Sequence, residues 1–171
     1  QLDAKLASSA YDDATSAETN TGTSTAKYVS PDGLAGSYAG TKSIPVVVLH
    51  HDYLLTTGDG KLIFPIPDEF AGMNLVSVAM NVNTTSSSGN PSVQIARGRQ
   101  SSATSAHTFA DILTTNLTID ATEYDSKDAT TPAVIGATND DVAVGDLYRV
   151  DVDAKGTGTK GLSIRFGFRL P

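Results

Sequence analysis

From residue 43 onward the chain reads as a succession of strands. Ile44, Pro45, Val46, Val47, Val48 and Leu49 make a nearly continuous apolar, β-branched run, which predicts a first strand. Thr57, Gly58, Asp59 and Gly60 then form a turn with glycines available for positive φ, and residues 61–67 return as a strand. Its prolines, Pro65 and Pro67, place that strand at a sheet edge, where a missing N–H donor is tolerated. Val76, Val78, Met80 and Val82 stand opposite Ser77, Asn81 and Asn83, a period of two. Val93 and Ile95 continue that pattern beyond the polar loop of residues 84–91, so the two segments are expected to form a hairpin. Phe109, Ile112 and Leu113 have helical spacing, which predicts a short helix over 107–115 leading into a strand at Leu117, Thr118 and Ile119. The clearest alternation comes last. Residues 147–153 alternate, and Leu162, Ile164, Phe166, Phe168 and Leu170 face away from Ser163, Arg165 and Arg169, so a terminal hairpin is expected across residues 156–161. Burying these apolar side chains contributes about 1.5–3 kcal/mol each, which makes the last strand the expected centre of the core.

The first 42 residues have no such pattern. Their large apolar residues, Leu2, Leu6, Tyr11, Tyr28, Val29, Leu34 and Tyr38, are separated by small polar ones. Local punctuation is nevertheless strong. Thr15 and Glu18 have the spacing of a capping box, and Gly22 is placed to close a short helix in the left-handed conformation. Ser30 can cap a second helix with Pro31 in its first position, and Gly36 can stop it. Helices this short are marginal in water, and the available apolar area is too small to offset an ordering cost of about 1–2 kcal/mol per backbone residue. Order in this arm is therefore expected to come from contacts with other chains. Fully extended, the arm reaches about 130 Å, enough to cross to a neighbouring subunit. The expected fold class is all-β: a jelly-roll-like β-sandwich of about eight strands in residues 43–171, preceded by an extended N-terminal docking and oligomerisation arm with short helical turns in residues 1–42.

Composition narrows the partners. At 171 residues the chain can build one core and an arm. A formal net charge of −7 disfavours phosphate backbones and anionic membranes, so no nucleic-acid partner is expected. Arg97 and Arg99 form the densest basic spot and read as a solvated strand end. Cysteine is absent, which removes disulfides and thiolate metal sites. No segment approaches the ~20 consecutive apolar residues of a membrane-spanning helix, and no membrane insertion is expected. The chain begins at Gln1 rather than Met, as either a processed or a truncated start.

Residues that carry chemistry are few. His50, His51 and Asp52 form the sole cluster resembling a ligand set, but neighbours on a strand point to opposite faces, so the two histidines are not expected to share an ion. Asp12 with Asp13, Asp140 with Asp141, and Asp151 with Asp153 read as solvated acids, although residues 139–146 loosely approximate a calcium loop. No Gly-x-Ser-x-Gly elbow is present, and residues 58–62 lack the spacing of a phosphate loop. The reading assigns no catalytic residue, no cofactor and no metal: the chain is expected not to be an enzyme.

Ala17, Glu18, Gly22, Thr23, Lys27, Tyr28, Val29, Ser30, Pro31, Leu34 and Ala35 together resemble a motif that recurs in bacteriophage tail fibres and other virion appendages. Family patterns often carry an acid after Gly-Thr, where this chain has Ser24. Residues 111–120 and 144–147 are similar to a β-domain of phage virion proteins. The resemblance implies a virion structural protein, tail-fibre or tail-associated, that assembles as a homotrimer with itself and with other virion proteins. The docking residues would be Leu2, Leu6, Glu18, Gly22, Tyr28, Val29, Pro31 and Leu34, with the β-sandwich displayed for stabilisation or for attachment to a host cell-surface glycan or protein. A capsid decoration or head-fibre protein and a free carbohydrate-binding β-module stand as alternatives.

Overall fold

A computed structural model of the chain describes residues 12–22 and 27–171. The chain divides into two compact units, Ser43–Phe168 and Gln1–Lys42 with Arg169–Pro171.

The larger unit is a β-sandwich. Its strands are β1 (Lys42–Leu54), β2 (Gly58–Pro65), β3 (Asn74–Asn81), β4 (Ser92–Arg99), β5 (Thr108–Asp111), β6 (Leu113–Thr115), β7 (Leu117–Thr118), β8 (Val134–Ile135), β9 (Leu147–Ala154) and β10 (Lys160–Arg169). One sheet has the order β1-β10-β3 and the other β2-β9-β4-β5, with β7 also paired to β4 and β6 paired to β8. The chain changes sheet between β1 and β2, between β3 and β4, and between β9 and β10. This alternation is the strand order of a jelly roll. Strands outnumber the expected eight because β7 and β8 are two-residue pieces.

Side chains from both sheets meet in one core. Leu162, Ile164, Phe166 and Phe168 of β10 are buried together with Tyr148, Val150 and Val152 of β9 and Val93 and Ile95 of β4. The Phe166 ring lies 5.6 Å from Phe64 of β2 and 5.7 Å from Tyr148, centroid to centroid, within the range of favourable aromatic pairs. The last strand is thus central, as its alternation predicts, except that Leu170 is exposed.

Both expected hairpins are absent. β3 lies beside β10, whereas β4 lies between β9 and β5; β9 and β10 likewise belong to different sheets. Each strand has one apolar face to hide. In a hairpin the two faces would lie side by side and still need a cover, whereas crossing to the opposite sheet lets each face cover the other. Alternation specifies the buried face but not the hydrogen-bonded neighbour. The alternation expected in β3 also starts differently: Leu75 is buried and Val76 exposed, while Met80 and Val82 face the core as expected.

The helix expected over 107–115 is replaced by β5 and β6. Residues 108–111 pair with β4 in the register Arg99↔Thr108 to Ala96↔Asp111, and Ile112 N donates to Ile95 O at 2.8 Å. An open strand edge supplies long-range backbone partners that override local spacing. Ile112 and Leu113 are both buried, at the bend between the two short strands. Among the described residues β2 lies at the sheet edge, as Pro65 requires, and pairs with β9; Pro67 falls beyond its end.

The smaller unit contains helices α1 (Ser16–Thr21) and α2 (Pro31–Ala35) and a 3-10 turn at Tyr38–Gly40. Among the described residues, no helix is long and apolar enough to cross a membrane.

Candidate functional site

The arm is built from its caps inward. Glu18 N donates to Thr15 Oγ1 at 3.2 Å and Thr15 N donates to Glu18 Oε2 at 3.0 Å, so the capping box closes in both directions. Gly22 ends α1 with φ of 63°, a conformation that costs a side-chain-bearing residue more than glycine. Ser30 Oγ accepts from Gly33 N at 3.1 Å, with Pro31 in the first turn of α2. Lys27 Nζ ties these pieces together, 3.0 Å from Glu18 Oε1 and 3.2 Å from Asp12 Oδ2. The Thr15 backbone N–H, followed by the Lys27 ammonium and the Thr15 hydroxyl, holds the Glu18 carboxyl down at about 2. The same ion pairs raise the Lys27 ammonium above its usual range.

Long-range bonds then join the helices. Ala14 N donates to Tyr28 O at 2.8 Å, and Tyr38 N donates to Asn20 Oδ1 at 2.6 Å. The centre they enclose is made of small residues, Ala14, Gly33 and Ser37. A Cβ on Gly33 would lie 2.6 Å from Ala14 O, so only glycine allows that approach. Among the described residues of the arm, the large apolar side chains face outward: Tyr28 is 61% exposed, Val29 51%, Leu34 47% and Tyr38 73%.

Of the docking residues read from the sequence, Glu18, Gly22 and Pro31 hold the helix ends, whereas Tyr28, Val29 and Leu34 form the exposed apolar set. Leu2 and Leu6 lie outside the described residues. Sequence reasoning missed Lys27 as the link between α1 and the following strand-like segment, and Asn20 as a partner of the Tyr38 backbone. Their acceptors and donors are 9 and 18 residues away, beyond the reach of capping rules.

A second cluster sits on the exposed end of β1. The His50 and His51 rings have centroids 4.0 Å apart, and His51 Nε2 lies 3.1 Å from Asp52 Oδ2. One potential ligand atom from each of His50, His51 and Asp52 lies within 4.8 Å of the others. The expectation that the two histidines diverge is therefore corrected. Strand alternation governs the Cα–Cβ bonds, but an exposed ring can turn beyond them, and His50 Nδ1 turns back to accept from Asp52 N at 3.4 Å. Both rings border a cavity of about 380 Å³ that Val47, Asn81, Asn83 and Ser163 also line.

Arg97, Arg99, Asp141 and Asp151, read as solvated, instead join Asp146 and Arg149 in two ion networks. Arg99 donates to Asp146 through Nε at 2.8 Å and Nη2 at 2.6 Å, and to Asp141 Oδ2 at 2.8 Å. Arg97 bonds the other Asp141 oxygen and Asn139 Oδ1. Burial opposes the charge on Asp141, but the Arg99 bond and the Arg97 charge outweigh it and hold that carboxyl below its usual range. Asp146 is buried and also accepts from Ala143 N at 2.8 Å. In the second network, Arg149 donates twice to buried Asp151, which also accepts from Gly60 N at 2.7 Å. The Arg149 guanidinium lies 4.6 Å from the centre of the Phe109 ring. Every one of these charges is spoken for within the fold, so the networks hold strands and loops together.

In comparisons with known proteins, no family model, no curated protein and no solved structure matches this chain.

Proposed function

We infer that the chain is a structural protein of a bacteriophage virion, a tail-fibre or tail-associated appendage that assembles as a homotrimer through its N-terminal arm and displays the jelly roll for attachment or stabilisation. Its work is binding rather than catalysis. The observation that carries this reading is the inverted packing of the arm: small residues fill its interior while Val29, Leu34 and Tyr38 lie at least half-exposed or nearly so. A capped, salt-bridged segment that turns its greasy side chains outward is suited to docking against further copies of the same chain, where their burial supplies the driving force that the segment lacks alone. The resemblance of residues 17–35 to appendage motifs supports the virion setting. The jelly roll is compatible with display, since such double-sheet folds serve as capsid and lectin domains, although a fold by itself assigns no function.

The test is the assembly state of Val29→Asp and Leu34→Asp by size-exclusion chromatography with light scattering. The unaltered protein is expected to run as a trimer and the variants as monomers whose β circular dichroism is retained. Unchanged assembly in both variants would remove the arm from the interface. Binding to empty capsids, with a gain in capsid stability, would favour the head-decoration reading over the tail.

A further inference from the structure

We propose that His50, His51 and Asp52 form a binding site for one divalent transition-metal ion on the exposed end of β1. Two imidazoles and a carboxylate are the donor set that zinc, nickel and copper prefer over magnesium or calcium. Their ligand atoms already lie within 4.8 Å of one another, with His51 Nε2 and Asp52 Oδ2 at 3.1 Å. Around a tetrahedral zinc with bonds of about 2.0–2.1 Å, donors stand about 3.3 Å apart. The widest pair therefore has to close by roughly 1.5 Å, which exposed side chains accomplish by small χ rotations. Little opposes that motion, because the bond into His50 Nδ1 is long at 3.4 Å.

The backbone beneath the cluster is closely packed while the three side chains are exposed. Gly161 at the start of β10 has φ of 67°, and a Cβ there would lie 2.9 Å from His51 Cα. This close approach seats His51 against the neighbouring strand. Leu55 N donates to Thr159 O at 2.9 Å, anchoring the chain just beyond the cluster. Three donors leave a position for water or an exogenous ligand, and the bordering cavity supplies the Asn81, Asn83 and Ser163 side chains as polar neighbours. The site is independent of the arm, so its existence does not rest on the virion reading.

The probe is zinc chloride titrated into the full chain by isothermal calorimetry. One equivalent per chain is expected, with affinity reduced about tenfold or more in His50→Ala and in His51→Ala. His107→Ala, which alters a histidine bonded to Gly145 O at 3.2 Å, is expected to bind zinc as the unaltered protein does. Both cluster histidines are exposed, so their variants should keep the parental circular dichroism. Absence of zinc binding, or equal affinity in either cluster variant, would overturn the site.

Discussion

The two units of this chain reach order by opposite means. In the β-sandwich, large apolar side chains from strands far apart in sequence are fully buried, as with Leu75, Val93 and Phe166. In the arm, order rests on caps spanning three residues, one lysine bridging two acids, and a centre of alanine, glycine and serine. The first arrangement removes greasy surface from water and owes its stability to that. The second satisfies backbone polar groups while leaving Val29, Leu34 and Tyr38 at the surface. Hydrogen bonds contribute only about 0.5–1.5 kcal/mol each net of water. An arm held this way is therefore shaped locally, with little apolar surface of its own removed from water.

Substitutions separate these regimes. Phe166→Ala empties the centre of the sandwich and is expected to cost about 3–5 kcal/mol, read as a lower urea midpoint for the β signal. A loss under about 1 kcal/mol would mean the core is not tightly packed around this ring. Asp146→Ala should cost about 3 kcal/mol, because it strips a buried carboxylate from Arg99 and an acceptor from Ala143 N. Its circular dichroism melt should shift almost as far as that of the aromatic variant. By contrast, Thr15→Ala should cost about 1 kcal/mol within α1 alone. Faster amide exchange at Glu18 with an unmoved β-sandwich melting temperature is the expected pair of results; a melt lowered by several degrees would break the contrast between the units.

The smallest effect is a titration. Glu18 is held at about 2, below the usual carboxylate value of about 4.3. A lowered folded-state value means that the contribution to arm order is complete above about 4.3 and disappears as pH falls through about 2. Carboxyl chemical shifts followed by NMR should place the midpoint near that low value, and Lys27→Ala should move it upward. A midpoint at the ordinary value would show that the capping box does not persist in solution.

Much of the local architecture was legible in the residues alone. The capping box at Thr15 and Glu18, the glycine stop at residue 22 and the Ser30–Pro31 helix start depend on partners within a few positions, and they form as their spacing requires. The buried face of β10 was legible for the same reason: alternation of Leu162, Ile164, Phe166 and Phe168 is a property of one strand. The candidate sites were less so. Exposure of Val29 and Leu34 in a segment poor in apolar residues follows from composition, but the meeting of His50 with His51 depends on ring rotations that no spacing rule contains.

Sequence by itself determined where the two short helices of the arm begin and end, which face of the last strand is buried, and that the apolar weight lies after residue 43, because these are set by backbone sterics and by neighbours along the chain. Tertiary structure alone decided that β9 and β10 part company into opposing sheets, that residues 108–111 join β4 as a strand, and that Arg97 and Arg99 are enclosed by Asp141 and Asp146. Those outcomes turn on which distant surface a face, an edge or a charge can reach once the chain has closed upon itself.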